Sequence, residues 1–295
     1  MPELPEVETV KRGLERLVVS KTIKHVHHKA DKSFPNDQYL VDEFMLGATI
    51  SKVTRRAKVL LIELSSTYTI MVHLKMTGQL VFVGDTSRWG AGHPNDSLVD
   101  NLPDKSTRVH IEFDDGSILY FNDQRRFGWV KLLPNHAVEL EPFMQKVGPE
   151  PFDPAFTPSV FIERVRRRNG TTIKAAILDQ TVLAGVGNIY ADESLWSTMI
   201  HPAERVRNIS DAKLRELHGA IIAVMQLSID KGGSTNKNYV DAEGKRGSYM
   251  EFANVFRREG QACTRCSTII EKLRVAGRGT HICPHCQVQL EHKDN

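Results

Sequence analysis

Apolar residues near the start of the chain recur three and four apart, at Val7, Val10, Leu14 and Leu17, which predicts an amphipathic helix with one buried face. Further along the reading is mostly strand. Runs at 22–27, 50–56, 59–64, 69–74, 79–83, 109–113, 118–122 and 129–133 read as short strands, and so many of them in about 110 residues predict a two-layer sandwich or a barrel. A stretch at 84–105, rich in Gly, Pro, Asp and Ser, interrupts the strands and is expected to be a loop. The proline-dense run Gly148-Pro149-Glu150-Pro151-Phe152-Asp153-Pro154 marks a domain boundary. Beyond it the helical period returns at 158–168, 172–179, 188–199 and 211–230, where Leu214, Leu217, Ile221, Val224 and Met225 share one face. Segregated strands and helices make the chain α+β.

The 295 residues suffice for two domains with separate cores. With no apolar run of membrane-spanning length and no basic n-region leading an apolar one, a soluble, cytoplasmic protein is expected. The formal charge of +3 is uneven, being −1 over residues 1–150 and +4 over 151–295. Runs such as Arg164-Val165-Arg166-Arg167-Arg168 and Arg257-Arg258 could face a polyanion, although any one run alone is better read as a solvated helix face.

All four cysteines lie close together, as Cys263-Thr264-Arg265-Cys266 and Cys283-Pro284-His285-Cys286 with sixteen residues between. Two C-x-x-C knuckles at that separation supply four thiolates for one tetrahedral structural Zn²⁺, which in an intracellular chain is favoured over disulfides. The intervening residues should form a hairpin, with turn signals at Gly277 and Gly279.

Two features carry chemistry only in combination. Loss of the initiator Met, favoured by a small second residue, would free the secondary amine of Pro2. Attack of that amine on an aldehyde carbon gives an iminium with no N–H to lose, so its charge persists and draws electrons from neighbouring bonds, a route to lyase chemistry. The same residues also suit an ordinary helix start, with Pro5 in the first turn and Glu3, Glu6 and Glu8 facing the positive end of the dipole. Gly185-Val186-Gly187-Asn188 between two helices lacks the preceding strand and third glycine of a dinucleotide loop. It fits better a phosphate-facing helix start with Asn188 at the cap.

Together these features resemble the formamidopyrimidine-DNA glycosylase family over essentially the whole chain. The likeness rests on Pro2-Glu3-Leu4-Pro5-Glu6-Val7-Glu8-Thr9, Arg55-Arg56-Ala57-Lys58, His73-Leu74-Lys75-Met76-Thr77-Gly78 and Asp123-Gln124-Arg125-Arg126-Phe127-Gly128. It continues through Ile173-Lys174, Leu178-Asp179-Gln180 and Gly185-Val186-Gly187-Asn188-Ile189-Tyr190 to the cysteine hairpin.

The resemblance implies an N-terminal β-sandwich flanked by helices (1–147), a linker (148–157), a helix–two-turns–helix domain (158–260) and a zinc finger (261–295). It implies a monomeric DNA glycosylase and AP lyase of base excision repair, excising 8-oxoguanine and formamidopyrimidines from duplex DNA and then cleaving the strand by β,δ-elimination. By analogy Pro2 is the nucleophile, Glu3 a general acid and base, Lys58 an aid to β-elimination at the flanking phosphate, and Arg278 a phosphate clamp linked to δ-elimination. Because the target base must leave the stack, Met76, Arg125 and Phe127 are the implied void-fillers. Asn169, Lys174 and Asn188 map onto DNA-backbone contacts, Asn169 being neutral where relatives are often basic. The segment 232–249 corresponds to a loop that covers the everted base in some relatives, but Asn236-Lys237-Asn238 and Phe256-Arg257-Arg258 depart from the commoner residues there. Two other readings are a pyrimidine-directed enzyme of the endonuclease VIII branch and a non-catalytic DNA-binding protein.

Overall fold

A computed structural model describes residues 2–28, 32–93, 96–98, 101–234 and 248–289. These residues divide into two compact units, Met1–Gln145 with Lys231–Ser248, and Lys146–Asp230 with Tyr249–Asn295.

In the first unit, α1 (Leu4–Val18) opens on a capping box: the Glu6 carboxylate accepts the Glu3 backbone N–H at 2.8 Å, and the Glu3 side chain answers the Glu6 backbone. Val7, Val10, Leu14 and Val18 are buried on its inner face. The edge strand β1 (Ile23–His28) follows, then the short α2 (Gln38–Phe44), which the period did not predict and which is capped by the Asp37 carboxylate accepting Tyr39 N–H. Strands β2 (Ile50–Arg56), β3 (Val59–Leu64), β4 (Tyr68–His73), β5 (Gly78–Val83), β6 (Arg88–Gly92), β7 (Thr107–Phe113), β8 (Ile118–Asp123) and β9 (Trp129–Pro134) build two antiparallel sheets. Their orders are β1-β7-β8-β5-β6 and β2-β3-β4-β9. No described strand belongs to both, so the fold is a sandwich and not a barrel. Its core interleaves Ile62, Ile70 and Val72 of one layer with Leu80, Ile111 and Phe121 of the other. A short α3 (Pro142–Lys146) follows β9.

The stretch expected to be a loop at 84–105 contains β6, which pairs with β5 along its whole length. What makes Arg88-Trp89-Gly90-Ala91-Gly92 a strand is tertiary. Trp89 is enclosed, and its indole lies so close to Gly13 that a Cβ on α1 there would stand 2.4 Å from Trp89 Cζ2. Glycine at position 13 is therefore what lets α1 lie against the sheet.

The second unit comprises α4 (Pro158–Arg166), α5 (Ile173–Leu178), α6 (Asn188–Ser197), α7 (Asp211–Asp230), α8 (Tyr249–Phe252) and a hairpin of β10 (Glu271–Val275) and β11 (Arg278–Ile282). Thr157 caps α4 and Thr172 caps α5, each through its hydroxyl. The proline-rich stretch expected as a linker packs into this unit: Gly148 N–H donates to Gln180 O at 2.7 Å, and Phe156 is buried edge-on to Phe161. Conversely, 231–234 and Ser248 fall with the sandwich, Ser234 N–H donating to Glu6 Oε1 at 2.9 Å. In the hairpin Val275 pairs with Arg278, leaving a two-residue turn of Ala276 (φ 48°) and Gly277 (φ 73°), both left-handed as such a turn demands. Gly279, expected in the turn, instead lies in β11.

No described helix is long and apolar enough to cross a membrane.

Candidate functional site

In the sandwich unit Pro2 stands half-buried just ahead of α1, and Glu3, at the N-cap, is almost wholly enclosed. Glu6 binds at both ends of its carboxylate, Oε2 accepting Glu3 N–H and Oε1 accepting Ser234 N–H. The rest of the 232–249 segment, residues 235–247, lies outside the described residues.

Lys58 sits in the two-residue turn between β2 and β3, after Ala57 at φ 53°, and is 95 % enclosed rather than solvated as a turn lysine would be. It lies close enough to His73 to act on it electrostatically. Burial above all, aided by the positive charges of Lys75 and Lys58, holds the His73 imidazole down at about 3. His73 is therefore neutral at physiological pH, and its Nδ1 accepts Lys75 N–H at 3.0 Å. Arg55, two residues before the turn, joins β2 to α1 through Glu8, Nε to Oε2 2.9 Å.

The three implied void-fillers come together although they arise from separate loops. Arg125 Nη1 is 3.5 Å from Met76 Sδ, its guanidinium lies 4.8 Å from the Phe127 ring centroid, and all three side chains are exposed. An aromatic and a thioether held in water beside a guanidinium are costly for a monomer and suit insertion into a base stack.

Both loops hang from one side chain that sequence reasoning left without a role. Asp123 is fully buried; its carboxylate accepts the Thr77 hydroxyl, Arg125 N–H at 3.2 Å and Gly128 N–H at 2.6 Å. Its carbonyl accepts Arg108 Nε at 2.9 Å. Gly128 is required there because a Cβ would stand 2.9 Å from Phe121 and 3.0 Å from Asp123 Oδ2. His93 was also missed, lying in the stretch whose role sequence could not supply. Its pKa is lowered, by burial above all, against the opposing pull of Asp123.

In the second unit Asn169 is exposed at the end of the arginine-rich run, beside exposed Arg167 and Arg168. Asn188 occupies the first helical turn of α6 with Gly187 at the cap, so it is not the cap residue expected. Its amide instead donates to Gly279 O at 2.9 Å. Lys174, mapped onto a DNA-backbone contact, is completely enclosed. Its ammonium bonds Asp192 Oδ1 at 2.6 Å, Thr280 Oγ1 at 2.8 Å and Gly279 O at 3.2 Å, so it braces the hairpin next to Arg278 and offers nothing to solvent. Asp192 Oδ2 accepts His281 N–H at 2.9 Å. Arg278 opens β11 with its side chain exposed.

The next residue of α6, Glu193, accepts the backbone N–H groups of Asn254, Val255 and Phe256 at 2.8–2.9 Å. Burial raises its pKa against those bonds. Two adjacent acids in a helix buried on nearly every side were a readable signal that something cationic or amide-rich docks there.

The four cysteine sulfurs lie within 4.8 Å of one another, with Cys266 Sγ 3.4 Å from both Cys283 Sγ and Cys286 Sγ. Sulfurs bound at ~2.3 Å to a tetrahedral zinc are roughly 3.8 Å apart, so the donor set fits one Zn²⁺. Arg265 and Cys286 N–H groups point at Cys263 Sγ and Cys283 Sγ, each at 3.4 Å, as thiolates require. The knuckles pack on α6, where the Arg265 guanidinium lies 4.1 Å above the Trp196 ring.

Comparison with known proteins covers the chain in three blocks. Residues 1–130 match the formamidopyrimidine-DNA glycosylase N-terminal domain, 147–239 the formamidopyrimidine-DNA glycosylase H2TH domain, and 260–288 the zinc finger found in FPG and IleRS. The formamidopyrimidine-DNA glycosylase of Bacillus anthracis is 37 % identical over 293 residues, covering 98 % of this chain and all of the relative. That of Streptococcus thermophilus is 38 % identical over 290, covering 97 % and 99 %. Among solved structures, Lactococcus lactis Fpg in complex with abasic-site DNA aligns with a TM-score of 0.85 at 32 % identity, over 97 % of this chain and all of that one. A point variant of the same enzyme with Fapy-dG DNA aligns with a TM-score of 0.85 at 33 % identity, over 98 % and 100 %.

Proposed function

Because this chain belongs to the formamidopyrimidine-DNA glycosylase family, we propose that it is a bifunctional DNA glycosylase and AP lyase that removes oxidised purines from duplex DNA. The relatives' complexes with abasic-site and Fapy-dG DNA support that substrate class. One observation of this chain carries the reading furthest: Pro2 directly precedes the N-cap of α1, so its nitrogen has no part in helix hydrogen bonding, while Glu3 beside it is enclosed.

The Pro2 nitrogen attacks C1′ of the everted nucleotide, and the glycosidic bond breaks with its electron pair leaving on the base, which takes up a proton. Opening of the sugar at O4′, protonated by Glu3, leaves an iminium between Pro2 and C1′. The iminium acidifies C2′–H; removal of that proton expels the 3′-phosphate by β-elimination, and a second elimination expels the 5′-phosphate. Water then hydrolyses the iminium and frees Pro2. Lys58, held from solvent, contributes positive charge beside the reacting nucleotide and its phosphate. Arg278, always protonated and exposed, clamps phosphate. Met76, Arg125 and Phe127 occupy the vacated stack, the Arg125 guanidinium hydrogen-bonding the orphaned base. Asn169 and Asn188 meet the DNA backbone from the second unit, and Lys174 serves there indirectly by fixing Gly279. One structural Zn²⁺ on Cys263, Cys266, Cys283 and Cys286 folds the finger. The enzyme acts as a monomer in the cytoplasm, on nucleoid DNA.

The test is borohydride reduction during reaction with an 8-oxoguanine duplex, followed by mass spectrometry of the trapped peptide. The expected adduct is on Pro2; an adduct on a lysine, or nicking with no trapped adduct, would overturn the amine mechanism.

A further inference from the structure

On the outer face of the five-stranded sheet, strands β1 and β7 bring together three side chains that the glycosylase chemistry leaves unused. His27 and His110 are directly paired across the two strands, and their rings stack with centroids 4.4 Å apart and planes 18° from parallel. Glu112 is two residues beyond His110 on the same face. Its Oε1 lies 3.0 Å from His27 Nε2 and 3.8 Å from His110 Nε2. One ligand atom from each residue therefore converges within 4.8 Å.

We propose that His27, His110 and Glu112 form a second metal site, for zinc or another late first-row divalent cation. Two imidazole nitrogens and one carboxylate oxygen are a familiar open set for such ions, leaving further positions to water. Ligands ~2.0–2.2 Å from a tetrahedral ion stand roughly 3.3–3.6 Å apart, a separation that the 3.0 and 3.8 Å spacings to Glu112 Oε1 bracket.

An ion pair between His27 and Glu112 explains the shorter distance but not why both Nε2 atoms face one oxygen. Among the described residues, the other titratable groups facing the site are His25, in register with Glu112 and 6.1 Å by ring centroid from His27, and Tyr120, 5.4 Å from His110. A bound ion staples β1, an edge strand, to its one described sheet partner.

The experiment uses full-length protein with its cysteine site loaded, dialysed and then titrated with ZnCl₂ by calorimetry, with imidazole ¹⁵N shifts recorded in parallel. Wild type takes up one further equivalent with shifts at His27 and His110, and its melting temperature rises with added zinc. His110→Ala and Glu112→Gln each weaken that step about tenfold or more while leaving the cysteine-bound zinc in place. Glu112→Gln, which keeps the side-chain volume, covers the case in which an alanine variant misfolds. No further equivalent at millimolar zinc, or a second equivalent unaffected by both substitutions, overturns the proposal.

Discussion

Lys174 and Asp192 form an ion pair from which water is wholly excluded, Nζ to Oδ1 2.6 Å with both side chains at zero exposure. Eighteen residues separate them in sequence, and the pair closes around the carbonyl of Gly279 and the hydroxyl of Thr280. Breaking one half of such a pair strands the other charge in a low-dielectric interior.

Lys174→Met and Asp192→Asn should each lower unfolding free energy by about 3–5 kcal/mol, the double variant costing less than the two losses added. Urea denaturation of the zinc-loaded proteins measures it. Losses below ~1 kcal/mol would show that the lysine is solvated and free for phosphate.

Met76→Ala, Arg125→Ala and Phe127→Ala should leave stability within about 0.5 kcal/mol of wild type, because all three side chains are exposed. Excision of 8-oxoguanine from duplex DNA should nevertheless fall, by at least about tenfold for Phe127→Ala, whereas strand cleavage at a preformed abasic site should fall less. Equal losses on both substrates would remove the link to base eversion.

Gly13→Ala places a methyl group inside the Trp89 indole and should destabilise the sandwich unit by about 1–3 kcal/mol. Adding Trp89→Leu should recover part of that loss, which a double-mutant cycle reads directly. No recovery would mean that Trp89 does not lie against Gly13 as described.

Acid should act through His73. Its folded pKa of about 3 lies below the unfolded value of 6.5, so only the unfolded chain is protonated between them. Its contribution to stability is complete above pH 6.5 and is lost as pH falls towards 3, at about 1.4 kcal/mol per pH unit in mid-window. His73→Asn should flatten the stability profile over that window relative to wild type; parallel profiles would contradict a buried neutral imidazole.

Cys266→Ser should lose the cysteine-bound zinc and weaken DNA binding steeply, since metal binding and folding of so small a module are coupled. Zinc content after dialysis and a gel-shift titration measure the two effects, and unaltered zinc would refute the four-thiolate site.

The strands at 50–56 and 59–64 were legible in sequence to the residue, because both are short β-rich runs and the turn between them, Ala57-Lys58, is local. The cysteine spacing foretold the sulfur cluster for a similar reason, since the chemistry is local. What escaped was decided by partners distant in sequence. Strand β6 has two glycines and little β propensity, and exists because Trp89 meets Gly13. The burial of Lys174 follows from an acid on the next helix and a hairpin about a hundred residues on. Asp123 looked like one member of a polar motif, and only the folded chain shows it holding two loops.

Glu6 gives one oxygen to the amide of residue 3 and the other to the amide of residue 234. A rigid, planar group shared in this way acts as a rocker: displacing either amide tilts the plane and disturbs its opposite number. The residue next to Pro2 and the amide of Ser234, more than two hundred residues on, are thereby tied through a single carboxylate.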